Sequence, residues 1–306
     1  MSWFFFTLIG PFLYALTNHI DKLLLEKYFK KSGVGTLMLF STLVSICVLP
    51  LIYYFDQTVF GVGIKNIAVL ATVAALNVLV LYFYLLALKD EEASIVIVFY
   101  QLVPVFAYIL GYFILSETLT QIQLIAMAIV IFGTTIISFE IDVENNFKLR
   151  KNTIFLMTAA SFCWALGSVI FKAVALEENV MRSLFWEHFV LAIIGVGIFF
   201  FAKSSRKHFI KEIEINSSSI LSLNFLNESL YILGNSVFAY AFLLAPISLI
   251  LLTNSFQPIF VFIIGIILTI FFPKISAEKI QAKHLWQKVL AIAITGAGTY
   301  LLLISS

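Results

Sequence analysis

The sequence predicts an all-α integral membrane protein of ten transmembrane helices, built as two inverted five-helix repeats around a central cavity. Three observations carry that prediction. The 306 residues are 61% hydrophobic and only 12% charged, with a mean hydropathy of +1.04, whereas soluble domains carry roughly 25% charge. Ten apolar stretches are each of a length suited to a membrane helix, which needs about 20 residues: 3–22, 34–55, 66–88, 93–116, 121–140, 152–175, 180–202, 218–244, 247–272 and 286–304. Finally, the chain repeats itself. Pro104-Val-Phe-Ala-Tyr-Ile-Leu-Gly111 matches Pro258-Ile-Phe-Val-Phe-Ile-Ile-Gly265 at Pro, Phe, Ile and Gly, at an offset of 154. Tyr14 to Lys22 parallels Trp164 to Lys172 at an offset of 150, and Asn77, Tyr82 and Ala87 fall on Asn235, Tyr240 and Ala245 at 158. Five spans per half make the second half enter the membrane from the opposite side, about an in-plane pseudo-twofold axis. The repeats divide as 1–143 and 144–306, within the polar run Glu140 to Lys151.

The first span opens Met-Ser-Trp-Phe-Phe-Phe, with neither the basic start nor the cleavage site of a signal peptide, and reads as an uncleaved helix. Tyr14, Asn18 and Asp21 share one face of it at steps of four and three; Trp164, Ser168 and Lys172 repeat the spacing in the sixth span. Tyr14, Asn18, Trp164 and Ser168 are candidates to face the cavity, whereas Asp21 and Lys22, near the membrane edge, read as snorkelling groups. Asn77 and Asn235 form a matched polar pair of the third and eighth spans, expected near the pseudo-twofold axis at mid-membrane. The fourth span presents Gln101, Pro104 and Tyr108 on one stripe, and the ninth presents Asn254, Gln257 and Pro258. A proline within a membrane helix frees a carbonyl and bends the helix, so Pro104 and Pro258 predict paired bends where gating is expected. Gly111 and Gly265 read as close helix contacts.

Ionisable groups in the hydrocarbon layer cost at least a few kcal/mol each and normally face a cavity or a partner. In the eighth span Asn224, Glu228, Tyr231 and Asn235 recur at intervals of four, three and four, on one face. Glu228 is the leading candidate for substrate recognition or proton coupling. The seventh span adds Glu187 and His188, also coupling candidates; adjacent side chains diverge by about 100°, so one of the two is expected to point at the cavity. The charged stretch 203–214 reads as a loop facing headgroups, and Cys47 and Cys163 as small buried hydrophobes.

Sixteen of the nineteen Lys and Arg lie in or beside the odd-numbered loops, leaving only Lys65, Lys172 and Arg182 for the even ones. Basic loops stay cytoplasmic, which predicts odd loops inside and both termini outside. No P-loop is present. Glu187-His188 lacks the second histidine of a metal site and no converging catalytic set occurs, so the chain does not read as an enzyme. Neither a metal ion, a cofactor nor a nucleic-acid partner is expected.

These residues resemble the drug/metabolite transporter superfamily, specifically its EamA-like proteins. The resemblance rests on Tyr14-Ala-Leu with Trp164-Ala-Leu and its trailing Lys172, and on the hairpin Leu88 to Thr120 with Ala93-Ser94, Pro104 and Gly111…Ser116-Glu117-Thr-Leu-Thr120. It also rests on Gly133 and Gly296 within Ala-Ile-Val-Ile-Phe-Gly and Ala-Ile-Ala-Ile-Thr-Gly. It implies spans 1–4 and 6–9 around a central cavity, with spans 5 and 10 peripheral. Glu117 matches the family's glutamate at the end of the fourth span; Phe271 stands at the corresponding place in the second repeat, with Glu278 only after Pro273. Relatives usually keep both termini in the cytoplasm, opposite to the charge rule here. The expected function is a secondary transporter, exporter or exchanger, of small metabolites such as amino acids or amphipathic compounds. It would work by alternating access in a bacterial or archaeal cytoplasmic (inner) membrane, driven by the substrate gradient, protons or exchange. Competing readings are a non-transporting receptor or assembly subunit and, further behind, an intramembrane enzyme.

Overall fold

The computed structural model describes residues 2–27, 34–90, 96–97, 99–138, 151–271 and 285–305, and among them every regular element is helical. The helices are α1 (Ser2–Thr7), α2 (Ile9–Lys27), α3 (Val34–Phe55), α4 (Ile64–Asp90), α5 (Leu102–Leu115), α6 (Gln121–Ser138), α7 (Lys151–Glu177), α8 (Val180–Phe201), α9 (Lys203–Ala241), α10 (Ile247–Leu252), α11 (Gln257–Phe271) and α12 (Leu285–Ile304). Among the described residues, five segments are long and apolar enough to cross a membrane: Val34–Phe55, Ile64–Lys89, Lys151–Glu177, Val180–Phe201 and Ile247–Phe271, joined by shorter apolar helices. A helix in lipid satisfies its backbone internally, and its hydroxyls do the same, as when Thr42 Oγ1 donates to Met38 O at 2.8 Å.

Three expectations are corrected. The first span is two helices, broken at Leu8; Pro11, in the first turn of α2, has no N–H to give the Thr7 carbonyl. The stretch 203–214 is no loop but the start of the 39-residue α9, continuous with the eighth span. Its Phe209 ring lies tilted against Phe40 at 4.4 Å and edge-on to Phe199 at 6.1 Å, so aromatic contacts hold this charged extension against α3 and α8. Cys47 is exposed rather than buried, and Cys163 is half-buried. Pro273, Glu278, Ala93-Ser94 and the inter-repeat stretch 139–150 lie outside the described residues.

At Pro104 and Pro258 the structure replaces a simple bend with a change of helix type. Short 3-10 turns, Phe99–Gln101 and Thr253–Phe256, precede α5 and α11, and each proline sits in the first turn of the helix that follows. Proline tolerates that position because the N–H it lacks would have no partner there.

Exchanging the two halves maps the packing onto itself. The pairs α3 with α8 and α6 with α12 are their own counterparts; α4 on α7 corresponds to α9 on α2, α5 on α7 to α11 on α2, and α4 on α8 to α9 on α3. Leucines such as Leu24, Leu37, Leu70 and Leu85 fill the seams. Outward rings such as Phe113 and Phe201 are 77% and 88% exposed, an apolar exterior that suits lipid rather than water.

Candidate functional site

A cavity of about 120 Å³ lies between the halves. Tyr14, Thr17, Asn18 and Asp21 of α2, Ser41, Thr42 and Ser45 of α3, and Asn77 and Tyr84 of α4 line it from the first half, with Tyr100 of the 3-10 turn. From the second half come Trp164 of α7, Glu187 and His188 of α8, Asn227, Glu228, Tyr231 and Asn235 of α9, and Gln257 of α11. Neither α6 nor α12 contributes. A smaller recess of about 20 Å³ adjoins it, sharing Asn77, Trp164, Glu187, Tyr231 and Asn235 and adding Ser168, Phe171 and Phe242.

Three carboxyl groups face this space, each buried: Asp21, Glu187 and Glu228. Among the described residues, every hydrogen bond to them comes from a neutral group. Asn77 Nδ2 donates to Glu187 Oε1 at 2.7 Å, Asn227 Nδ2 to Asp21 Oδ1 at 2.7 Å, and Ser41 Oγ to Glu228 Oε1. The Tyr84 hydroxyl reaches both Asp21 Oδ2 (3.3 Å) and Asn18 Oδ1 (3.4 Å). All three bonds to Glu187, Asp21 (from Asn227) and Glu228 cross between the halves. Desolvating an ionised carboxylate costs several kcal/mol, and one hydrogen bond to a charged group returns about 1.5–3 kcal/mol. The sites therefore remain favourable places for positive charge.

Aromatic rings complete the wall. Tyr14 stacks on Tyr231 with centroids 5.5 Å apart, and Tyr100 meets Trp164 edge-on at 5.0 Å. Gly234 lets Tyr14 lie flat on α9: a Cβ there would come within 2.7 Å of Tyr14 Cε1.

Of the residues singled out in the sequence, Tyr14, Asn18, Asn77, Trp164, Glu187, His188, Glu228, Tyr231, Asn235 and Gln257 line the main cavity, and Ser168 lines the recess. Glu187 and His188 both do so, contrary to the expectation of one. The reason is that α8 packs against both α3 and α4; Glu187 meets Asn77 on one side, and His188 Nδ1 lies 3.3 Å from Ser45 Oγ on the other. Gln101, Tyr108 and Asn254 are not on the wall. Gln101 is a packing amide: its Nε2 donates to Ser255 O (3.4 Å) and its Oε1 accepts from Thr134 Oγ1 (3.0 Å). Tyr108 packs half-buried against the core, and Asn254 is enclosed in its 3-10 turn. Asn224 turns back to donate to Ile220 O. Asp21 is no snorkelling group; it is 8% exposed. Its position on the Tyr14–Asn18 face was the available signal. Asn227, Tyr84 and Tyr100 carried none beyond their polarity.

The end of the molecule bearing the even loops is fastened by contacts most of which join the halves. Glu117 Oε1 pairs with Lys172 Nζ at 2.5 Å, its Oε2 accepts the Ile247 N–H at 2.7 Å, and Lys172 also donates to Ala245 O at 2.8 Å. Beside this, Arg182 donates to Thr58 Oγ1 (3.0 Å), Asn66 Nδ2 to Glu178 Oε1 (2.9 Å) and Asn179 Nδ2 to Asp56 Oδ2 (3.4 Å). Hydrogen bonds, from Thr58 and from Asn66 respectively, hold the Asp56 and Glu178 carboxyls below their ordinary pKa values. Deeper in, the Phe171 and Phe242 rings stand 6.4 Å apart at the head of the recess.

An apolar-surfaced helical molecule with a polar cavity between two matched halves is of the multi-pass membrane class. Residues 1–139 match the EamA-like transporter family, consistent with the resemblance to the drug/metabolite transporter superfamily. Among solved structures 28 chains match. One crystal structure superposes with a TM-score of 0.62 at 13% identity, covering 98% of this chain and 99% of that one; at that identity the likeness concerns the fold alone. No curated protein matches.

Proposed function

We propose that the protein is a secondary transporter that carries small metabolites across a bacterial or archaeal cytoplasmic membrane by alternating access. Two inverted five-helix repeats, 1–143 and 144–306, rock about the cavity between them, exporting or exchanging the solute. The observation that carries this reading is the cavity itself, whose three buried carboxyl groups each bond across the boundary between the halves. A solute held there touches both moving bodies, and its binding can bias their arrangement. Glu228, a buried carboxyl held among the described residues only by Ser41, is the group best placed to couple a proton to the solute.

Counterflow of labelled metabolites in proteoliposomes tests the carrier. Glu228→Gln is expected to lower uptake at least about tenfold, equivalent to about 1.4 kcal/mol, and to flatten its dependence on pH. Unchanged transport with an unchanged pH profile removes Glu228 from the mechanism. Saturable binding without counterflow by the unmodified protein would make it a receptor instead.

A further inference from the structure

We propose that the cavity selects organic cations bearing N–H donors: a primary or secondary ammonium, or a guanidinium, on a compact aromatic or alkyl body. The proposal rests on the carrier reading above and names its substrate class.

Charge is the first ground. Asp21, Glu187 and Glu228 line the cavity, and no Lys or Arg does. Among the described residues none of the three carboxyls has a basic partner; all their bonds come from Asn, Ser and Tyr side chains. Lys172, the buried lysine nearest in sequence to Trp164, is committed to Glu117. The other titratable groups facing the carboxyls are His188 and the hydroxyls of Tyr14, Tyr84, Tyr100 and Tyr231. An anion entering this space meets three carboxyl groups and no cation. A zwitterion gains at its ammonium end but finds nothing to pair its carboxylate.

The open hydrogen-bonding positions are the second ground. Asn227 spends its Nδ2 on Asp21, which fixes its Oδ1 as the free end; that oxygen has no partner, and neither does Gln257 Oε1. Both side chains are at least nine-tenths buried and line the cavity. Two unpartnered acceptors on lining side chains, one of them on the amide that already serves Asp21, call for N–H donors, which a quaternary ammonium lacks. Asn18 Nδ2 is the vacant donor, and it suits a neutral acceptor elsewhere on the solute.

The rings supply the third ground. Tyr14, Tyr100, Trp164 and Tyr231 present π surfaces to the same space, and a cation within about 6 Å of a ring centroid is attracted by its quadrupole. Volume limits the body. About 120 Å³ is below the roughly 300–1,000 Å³ of drug-sized sites, so a single-ring or short-chain amine fits and a large polycyclic drug does not.

The test uses one ring body with four charge states: 2-phenylethylamine, its N-trimethyl derivative, phenylalanine and 3-phenylpropionate. Each is added to the purified full-length protein in a thermal-shift or calorimetric titration, then offered in counterflow. The expected order is amine tightest, phenylalanine and the trimethyl derivative at least about tenfold weaker, and 3-phenylpropionate without effect. Asp21→Asn and Glu187→Gln should each weaken amine binding by about the same factor. Equal or tighter binding of 3-phenylpropionate or phenylalanine overturns the proposal, as does failure of the amine to bind. Counterflow of phenylalanine without amine binding would end the cation selectivity and leave the carrier standing. Amine binding with no counterflow of any of the four would do the reverse.

Discussion

The Glu117 carboxylate accepts from Lys172 with one oxygen and from the Ile247 N–H with the other, so a single side chain ties the end of α5 to α7 and to the start of α10. Ser116, in the left-handed region at φ 56°, turns the chain so that Glu117 N–H can return to Gly111 O at 3.1 Å. Its sequence counterpart Phe271 is 70% exposed and can do none of this, so the fastening is lopsided on a symmetric frame. Breaking a buried ion pair by removing one partner costs about 3–5 kcal/mol when enclosure is complete. Here the side chains are 7% and 18% exposed, which argues for the lower end. Glu117→Gln should therefore lower the apparent Tm clearly in detergent, and Lys172→Met likewise. The double variant should be less destabilised than the sum of the two, because partners in one network are not additive; strictly additive losses would show that the pair is not coupled.

At the scale of helices, the apolar pattern located the elements well and their interruptions poorly. The run 34–55 coincides with α3 because both its edges are marked by polar residues. The helical start of α9 was hidden because hydropathy finds lipid, whereas Lys and Glu continue a helix readily; contacts such as those of Phe209, and of Arg206 over the Phe199 ring, show what holds that extension. Pro104 and Pro258 marked the right places, yet a first-turn proline is equally at home in an unbroken helix, so the 3-10 turns before them were not legible. The cavity was legible where polar residues recur at helical spacing, as at Glu228, Tyr231 and Asn235. It was illegible where depth decides, as at Asp21, or where a neighbouring helix decides, as at Gln101. The turn 56–63, between α3 and α4, offers a check of its own. Asp56 and Glu178 have lowered folded pKa values, so the contacts they make are fully present above the ordinary carboxylate values of 3.8 and 4.5. These contacts are lost as pH falls through the lowered ones. Amide exchange in 56–63, corrected for intrinsic rate, should stay constant from neutral pH to those values and accelerate only below them. Acceleration beginning at neutral pH would contradict that order.

For the molecule as a whole, the cavity and its closures lie on opposite sides of one question, which end opens. The basic odd loops set the expected orientation, with the even end outside; a reporter fused at Ser306 should read out on the external side, and a cytoplasmic signal would reverse the assignment without altering the fold. The described contacts close the even end in two layers, the Phe171–Phe242 pair and the fastenings at Glu117 and Arg182. If the halves rock, the Glu117 and Arg182 fastenings must part in every transport cycle, since each joins a first-half residue to a second-half one, whereas the Phe171–Phe242 pair lies within the second half. Each exposed pair is worth at most about 1 kcal/mol, which makes the Arg182 side the one that can part readily; the enclosed Glu117 pair resists more. Cysteines at Thr58 and Asn179, in a background lacking Cys47 and Cys163, place one thiol on each half at that seam. A short bismaleimide joining them should stop counterflow while leaving solute binding from the other end intact, whereas a monofunctional maleimide on the same cysteines should leave both. Full counterflow by the crosslinked protein would mean that the even end never opens, and the rocking mechanism would have to be abandoned.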